Sequence, residues 1–172
     1  KMIKSSLGYM SQHVDLDNDL NVFENIYIYA QLNGLNICDA KLKTTEICEK
    51  LNLSQYLKIF PKNLPYSTKR LIMLARAIVH NPEILLLDEP TLNLDPISRE
   101  MIWDFIYSIN KSKTIFYTTQ NFKEAQEHSD RIAILYDGVI KYNGTFDYLV
   151  KNAYGLARFS ITFNDKIPES IK

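Results

Sequence analysis

The stretch ILLLDEPT, residues 84–91, decides the fold class. Four aliphatic residues in a row are typical of a strand buried between helices in a parallel sheet. This strand ends in two adjacent carboxylates, Asp88 and Glu89. Ligands bind at the carboxyl ends of parallel strands, where one carboxylate can hold Mg²⁺ through water and another can polarise an attacking water. An ordinary strand end with two solvated acids is the alternative, and these residues alone leave both open.

The pattern on both sides of this strand alternates between helical and extended segments. Asn21 is a good N-cap for a helix that ends near Asn33, and apolar positions such as Leu42 mark a second helix. Asp137-Gly138 predicts a tight hairpin turn. Helices are predicted over 22–32, 39–51, 68–80, 96–109, 121–129 and 145–152, and strands over 3–10, 84–87, 114–118, 131–136, 139–142 and 158–163. The apolar pattern predicts that the helix over 68–80 is buried on most sides and that the strand over 114–118 is buried. The alternation predicts an α/β fold with a parallel sheet, in which residues 21–79 form an inserted helical block.

Composition excludes several classes of protein. The 172 residues are 46% hydrophobic and carry 20 Lys+Arg against 20 Asp+Glu, which suits one ordinary domain and excludes disorder. Zero net charge argues against nucleic acid as a partner, because phosphate contacts need an excess of basic residues. No aliphatic run approaches the ~20 residues that span a bilayer. Cys38 and Cys48 match no zinc spacing and are predicted to be reduced thiols.

The neighbours of the strand resemble the nucleotide-binding subunit of ABC transporters. ARAIVHNPEILLLDEPTLNLDP, residues 75–96, resembles the helix, Walker B strand and D-loop of that family. LGYMSQ, residues 7–12, resembles the Q-loop, and NVFENI, residues 21–26, the helix after it. TIFYTTQNFKEAQEHSDRIAILYDGVIKYNGT, residues 114–145, resembles the switch region and the closing strands. The resemblance covers about residues 7–150, and the switch segment is similar to bacterial ABC-2-type export ATPases.

The resemblance implies a parallel-sheet P-loop NTPase core with an inserted helical subdomain, binding ATP and Mg²⁺. It divides the chain into a strand end and Q-loop (1–20), the helical subdomain (21–79), the core from the Walker B strand to the closing strands (80–150) and a C-terminal tail (151–172). It also implies a transmembrane permease partner and a second ABC ATPase domain in a head-to-tail dimer. The expected location is cytoplasmic, peripheral at the inner face of the cell membrane.

The same resemblance assigns roles to single residues. Gln12 is expected to sense the γ-phosphate and the Mg²⁺ ion. Asp88 is expected to be the metal-site aspartate, and Glu89 the general base that orients the attacking water. Asp95 is expected to lie in the D-loop at the dimer seam.

The phosphate-binding loop of the family is absent from this sequence. That loop follows the pattern G-x-x-x-x-G-K-[ST], whose backbone N–H groups wrap the phosphates. The chain has five glycines, at positions 8, 34, 138, 144 and 155, and no two of them are five apart. We therefore expect the domain to be incomplete at its N-terminus and the chain alone to be inactive.

Two further motifs depart from the family pattern. In a gapless alignment, the LSGGQ signature corresponds to Leu64-Pro65-Tyr66-Ser67-Thr68. Alternatively, Tyr66-Ser67-Thr68 keeps the serine, with Ser67 as a nucleotide contact, and a glycine-containing pair has been deleted before Lys69. Both glycines are missing in either alignment. Glycines there let backbone N–H groups approach a phosphate that the opposite subunit holds. The switch histidine is replaced by Gln120, which can donate a hydrogen bond but cannot carry positive charge.

Three functions remain open at this point. The first is the ATP-hydrolysing subunit of an ABC transporter that powers export. The second is a degenerate, non-hydrolysing ABC subunit that serves as the structural partner of an active one. The missing glycines and histidine favour the second, whereas the intact pair of Asp88 and Glu89 favours the first. A soluble ABC protein that acts on ribosomes or DNA is the third, and the neutral charge argues against it.

Overall fold

A computed structural model describes residues 5–109 and 113–152 of the chain. Their contacts group into two compact units, one up to Glu124 and one from Ala125 onward. The strand predicted over 158–163 and nearly all of the tail lie outside the described residues. No helix within the described ranges is long and apolar enough to cross a membrane.

A parallel three-stranded sheet forms the centre of the first unit. Its strands are β1 (Leu7–Met10), β2 (Ile84–Asp88) and β3 (Thr114–Thr118), in the order β1-β2-β3. The helices of this unit are α1 (Val22–Leu32), α2 (Ile37–Lys50), α3 (Tyr66–Ile78) and α4 (Pro96–Ile109), and α5 (Phe122–His128) begins in it. Short 3₁₀ turns cover Ser54–Tyr56 and Pro61–Asn63. The predicted α/β fold with a parallel sheet is confirmed.

Local sequence signals explain where the helices begin. Asn21 caps α1 by accepting the N–H of Glu24, while the Glu24 carboxylate accepts the N–H of Asn21 at 2.9 Å, which is a complete capping box. α3 is buried on most of its surface and packs against both β1 and α1. Trp103 of α4 meets the ring of Tyr117 edge to face, with centroids 4.8 Å apart. These contacts hold the helices on the sheet.

The core departs from the sequence pattern in two places. Leu42, one of the apolar positions that mark α2, is 56% exposed, because the buried stripe of α2 runs through Ala40, Thr44 and Cys48 on another face of the helix. The strand at 114–118 has the predicted bounds but is not buried throughout. It lies at an edge of the sheet, so its side chains alternate in exposure and Phe116 is 61% exposed.

β1 and α3 approach so closely that only glycine fits at position 8. A Cβ on Gly8 would lie 2.1 Å from the carbonyl oxygen of Ala77 and 2.8 Å from Cγ of Pro82. We expect Gly8→Ala to lower the free energy of unfolding by about 1–3 kcal/mol, since the helix must move off the strand. Urea unfolding measures the loss. Gly34→Ala is a contrasting variant, because its Cβ meets no atom within 4 Å and the loss there comes from its φ of +101° alone. Equal stability of Gly8→Ala and wild type would contradict this packing.

The two cysteines are free thiols with different environments. Cys38 is exposed, whereas Cys48 is fully buried and burial raises the pKa of its thiol to about 12. We expect a maleimide at pH 8 to label one thiol in the folded chain and two in urea, because only the thiolate reacts. Mass spectrometry counts the labels, and two labels under native conditions would contradict the burial of Cys48.

The second unit is built on an antiparallel hairpin. β4 (Ile132–Tyr136) pairs with β5 (Val139–Gly144), and α6 (Phe146–Asn152) follows. The turn residues Asp137 and Gly138 have φ values of +52° and +72°. Both positions of a type I′ turn need positive φ, so the predicted tight turn is confirmed.

Candidate functional site

The carboxyl ends of the three parallel strands lie side by side along one edge of the sheet, the edge at which the strands end. Met10 lies opposite Leu87, and Asp88 lies opposite Thr118. The segments that leave this edge are therefore the loop beginning at Ser11, the loop beginning at Glu89 and the loop beginning at Thr119. Gln12, Asp88, Glu89 and Gln120 all belong to this edge or to its loops.

Thr118 joins the ends of β2 and β3. Its hydroxyl donates to Oδ1 of Asp88 at 2.6 Å and accepts the backbone N–H of Glu89 at 3.0 Å. Glu89 is 8% exposed and has a φ of +46°, in the left-handed region that a residue with a Cβ rarely adopts. The chain therefore turns sharply after Asp88, and a hydrogen bond from the neighbouring strand holds the turn.

Arg70 of α3 lies beneath the same loops. It is fully buried, and no carboxylate of the described residues forms an ion pair with its guanidinium group. Burial lowers the pKa of Arg70, and the carboxylates of Asp88 and Glu89 act in the opposite direction. The group is bonded instead to backbone carbonyls from two loops: Nη1 donates to Ser11 (3.0 Å) and Gln12 (2.7 Å), Nη2 to Asp88 (3.4 Å) and Glu89 (2.7 Å), and Nε to Pro90 (3.3 Å).

Glu124 forms a second buried centre beside the strand ends. Glu124 is 4% exposed, and its carboxylate accepts hydrogen bonds from the hydroxyls of Thr91 at 2.7 Å and Thr119 at 2.9 Å. Nε of Arg99 lies 3.2 Å from Oε1 of Glu124, and the same arginine donates to the carbonyl of Leu94. This network joins the loop after β2 to the loop after β3.

A cavity of about 490 Å³ opens beside the loop that follows β1. Gln12 lines it, and its side chain is half-buried. Tyr66 and Lys69 from the start of α3 line the same cavity, as does Asn93 from the loop after β2. The cavity therefore brings Gln12 near the beginning of α3 and the segment that contains Asp95.

The other predicted site residues have separate surroundings. Asp95 is exposed and acts as the N-cap of α4, because its carboxylate accepts the N–H and the hydroxyl of Ser98 at 3.0 and 2.6 Å. These bonds hold the pKa of Asp95 below its usual range. Ser67 is half-buried in the first turn of α3, whose N-cap, Pro65, makes no side-chain capping bond. Gln120 is exposed and accepts or donates no hydrogen bond within the described part of the chain.

Sequence reasoning missed Arg70, Thr118 and Glu124 as parts of the site. For Arg70 a signal was present: a helix predicted to be buried on most sides carries two arginines, Arg70 and Arg76, and both are buried. A charge on such a helix must find acceptors inside the protein. For Glu124 the local pattern holds no comparable signal, since its partner Thr91 is 33 residues away in sequence.

Comparison with known proteins identifies the family. The family profile described as ABC transporter matches residues 1–92, which is more than half of the chain. The chain belongs to the ABC transporter family. The matched residues include the strand that ends in Asp88 and the loop that contains Gln12.

Curated ABC proteins of animals and of a slime mould match the chain along most of its length. It is 35% identical over 153 residues to the phospholipid-transporting ATPase ABCA3 of Mus musculus, covering 89% of this chain and 9% of that protein. It is 31% identical over 170 residues to ATP-binding cassette sub-family A member 6 of Mus musculus, covering 99% and 10%. For ABC transporter A family member 6 of Dictyostelium discoideum the identity is 32% over 165 residues, covering 96% and 10%. The chain thus spans about a tenth of the length of these relatives.

A solved ABC structure has the same fold. It is the dimeric structure of a post-hydrolysis state of the ATP-binding cassette MJ0796 bound to ADP and Pi. The TM-score is 0.75 at 23% identity, and the alignment covers 84% of this chain and 64% of that chain. The predicted P-loop NTPase fold is therefore confirmed.

Proposed function

We propose that the chain is part of the ATP-hydrolysing domain of an ABC transporter, in which Glu89 is the general base and Asp88 belongs to the Mg²⁺ site. The observation that carries the proposal is the strand end at which Asp88 and Glu89 are held by the Thr118 hydroxyl. A base must be fixed next to the reacting atoms to contribute to the rate.

The residues at the strand end suit Mg²⁺ bound partly through water. Mg²⁺ prefers six oxygen ligands and usually takes only one or two carboxylates, the rest being water and substrate phosphates. Only Oδ1 of Asp88 accepts a hydrogen bond from the described chain, so Oδ2 is available to the ion or its water. The amide oxygen of Gln12 is the second candidate ligand. Clusters of three or more His, Cys, Asp or Glu side chains are absent from the described residues, which agrees with a site that needs the nucleotide. When bound, Mg²⁺ neutralises charge on the phosphates.

The partners in this proposal are a permease with membrane-spanning helices and a second ABC ATPase domain packed head to tail. The domain then lies at the cytoplasmic face of the cell membrane, and transport runs in the export direction. The neighbour of known structure is described as dimeric, and several relatives are described as phospholipid-transporting ATPases. Phospholipid is accordingly the first cargo to test.

The experiment uses the complete transporter that contains this chain, reconstituted in phospholipid vesicles. We expect phosphate release that requires Mg²⁺ and ATP, and ATP-dependent movement of a fluorescent phospholipid between leaflets. Vesicles with ADP in place of ATP are the control. Phosphate release at background level, with ATP still bound, contradicts a hydrolytic role.

A non-hydrolysing partner subunit is the second candidate function. It is favoured by the start of α3, where both expected glycines are missing: Tyr66 and Ser67 stand at their places in the gapless alignment, and Pro65 just before them has no N–H to donate. The exposed Gln120 in place of a histidine favours it as well. In this case the vesicle experiment gives ATP binding without turnover at the site to which this chain contributes.

A further inference from the structure

One guanidinium group contacts the two loops that carry the predicted catalytic side chains. Arg70 is 0% exposed, and its five carbonyl acceptors all belong to residues 11–12 and 88–90. The acceptors on the Q-loop are 58 and 59 residues away in sequence, and those on the Walker B loop are 18 to 20 residues away. Within the described residues, no other hydrogen bond or ion pair links these two loops directly.

Burying an arginine at this position costs more free energy than burying an apolar side chain, so packing alone does not explain why arginine stands here. Burying a cation away from carboxylates is unfavourable unless hydrogen bonds satisfy it. Here the bonds come from carbonyl groups in loops, which are the parts of a protein that otherwise move most readily. A buried apolar side chain of similar volume would fill the space under α3 but would donate none of these five hydrogen bonds. The arginine therefore fixes where the two loops lie.

The backbone of Glu89 is held from both sides. Its φ of +46° is unfavourable for a residue with a Cβ, so the conformation persists only because its surroundings impose it. The Thr118 hydroxyl accepts its N–H at 3.0 Å, and Nη2 of Arg70 donates to its carbonyl at 2.7 Å. The Leu92 N–H also donates to this carbonyl, at 3.2 Å. The orientation of the peptide groups around Glu89 thus depends on Arg70.

We propose that Arg70 is a positioning residue that sets the backbone of Glu89 relative to that of Gln12. The side chains of Glu89 and Gln12 then reach the same phosphate group of the nucleotide. The catalytic part of this proposal rests on the proposed function, whereas the structural part does not. Lysine cannot replace Arg70, because one ammonium nitrogen with three donors cannot reach five carbonyls on two loops.

The first test measures amide hydrogen exchange by NMR on the present chain. The reporters are the N–H groups of Glu89 and Leu92, and the N–H of Asp17, bonded to the Asn25 side chain at 3.0 Å, is the internal reference. We expect Arg70→Lys to accelerate exchange at both reporters by about tenfold or more, which is the loss of one or two charged hydrogen bonds. The Asp17 amide should keep its rate.

Arg76→Met is the matched control. Arg76 is the other buried arginine of α3, but it donates to Asp15 and stacks on the ring of Tyr29, with 3.7 Å from Cζ to the ring centroid. This variant should leave the Glu89 and Leu92 amides within about twofold of wild type. Arg70→Met repeats the test with the charge removed, and if it does not fold, Arg70→Lys decides. Unchanged exchange at Glu89 and Leu92 in Arg70→Lys overturns the proposal, and so does an equal acceleration at Asp17, since that indicates a general packing role.

The second test measures ATP turnover by the complete transporter. We expect Arg70→Lys to lower kcat by about tenfold or more while KM for ATP stays within about threefold, because the misplaced base acts after binding. A rise in KM with kcat unchanged overturns the catalytic part of the proposal. If the wild-type transporter hydrolyses no ATP, the proposed function fails, and the amide measurements still decide whether Arg70 positions the loops.

Discussion

Replacing Glu89 by glutamine in the complete ATPase is expected to preserve ATP binding and to lower the turnover rate by about 10²–10⁴-fold, the usual contribution of a general base. Glutamine keeps the shape of the side chain but cannot accept the proton of the attacking water. The backbone bonds to Thr118 and Arg70 do not involve the carboxylate, so the loop should keep its conformation. Steady-state phosphate release and nucleotide affinity are the measurements.

Two further variants distinguish the role of Glu89 as general base from the roles of Asp88 and Gln120. Asp88→Asn should weaken nucleotide binding as well as turnover, because it disturbs the Mg²⁺ site. Gln120→His should raise a low wild-type rate by up to ~10²–10³-fold, the size reported for one transition-state donor. Turnover of Glu89→Gln at a wild-type rate that is itself well above background contradicts the assignment of the base. Absence of turnover in all of them, with ATP bound, supports the non-hydrolysing alternative.

Replacing Glu124 by alanine is expected to lower the free energy of unfolding by about 2–4 kcal/mol, because two hydroxyls lose a buried acceptor while the ion pair to the partly exposed Arg99 adds little. The substitution leaves the Thr91 and Thr119 hydroxyls without their acceptor and Arg99 without its carboxylate. Glu124→Gln should cost less, about 1.5–3 kcal/mol, because the amide oxygen still accepts one hydroxyl. Urea unfolding monitored by the fluorescence of Trp103 provides the values.

Glu100 offers the matched control for that experiment. It is a glutamate on α4, close in sequence to Arg99, but it is exposed. Glu100→Ala should change the free energy of unfolding by no more than about 0.5 kcal/mol. If Glu124→Ala changes the free energy of unfolding as little as Glu100→Ala does, the Glu124 network does not hold the loop after β2 to the loop after β3.

The sequence predicted the fold well wherever the signal is local. The first helix begins at Asn21 because its cap and the glutamate three residues later are adjacent in the chain. The bounds of α4, 96–109, and of β3, 114–118, were predicted without error, since each segment is periodic and bounded by polar residues. The exposure of Leu42 was not predictable in this way, because the face that α2 buries is chosen by packing against α1.

The site was predictable only in its outline. Strand ends alone place Gln12, Asp88 and Glu89 at one edge of the sheet, because parallel strands present their carboxyl ends together. Their catalytic roles stay predictions. The hydrogen bonds that hold them were not predictable, since Arg70 reaches the Gln12 carbonyl across 58 residues and Thr118 reaches Asp88 across 30. Such contacts depend on the tertiary fold, and neither composition nor periodicity records them.

The two buried arginines of α3 have a topological consequence. Arg70 holds the chain at Gln12 and Arg76 holds it at Asp15, so the beginning of the segment that links β1 to β2 is bonded to the last helix of that segment. The segment between these contacts, which contains α1 and α2, is a branch of the chain whose two ends are held together by hydrogen bonds. We expect chain added at the turn between α1 and α2, where a Cβ on Gly34 would meet no atom within 4 Å, to lengthen this segment without breaking the two arginine contacts. Because the entropic cost of a longer loop grows only slowly, the branch can accept inserted sequence while the edge of the sheet keeps its arrangement.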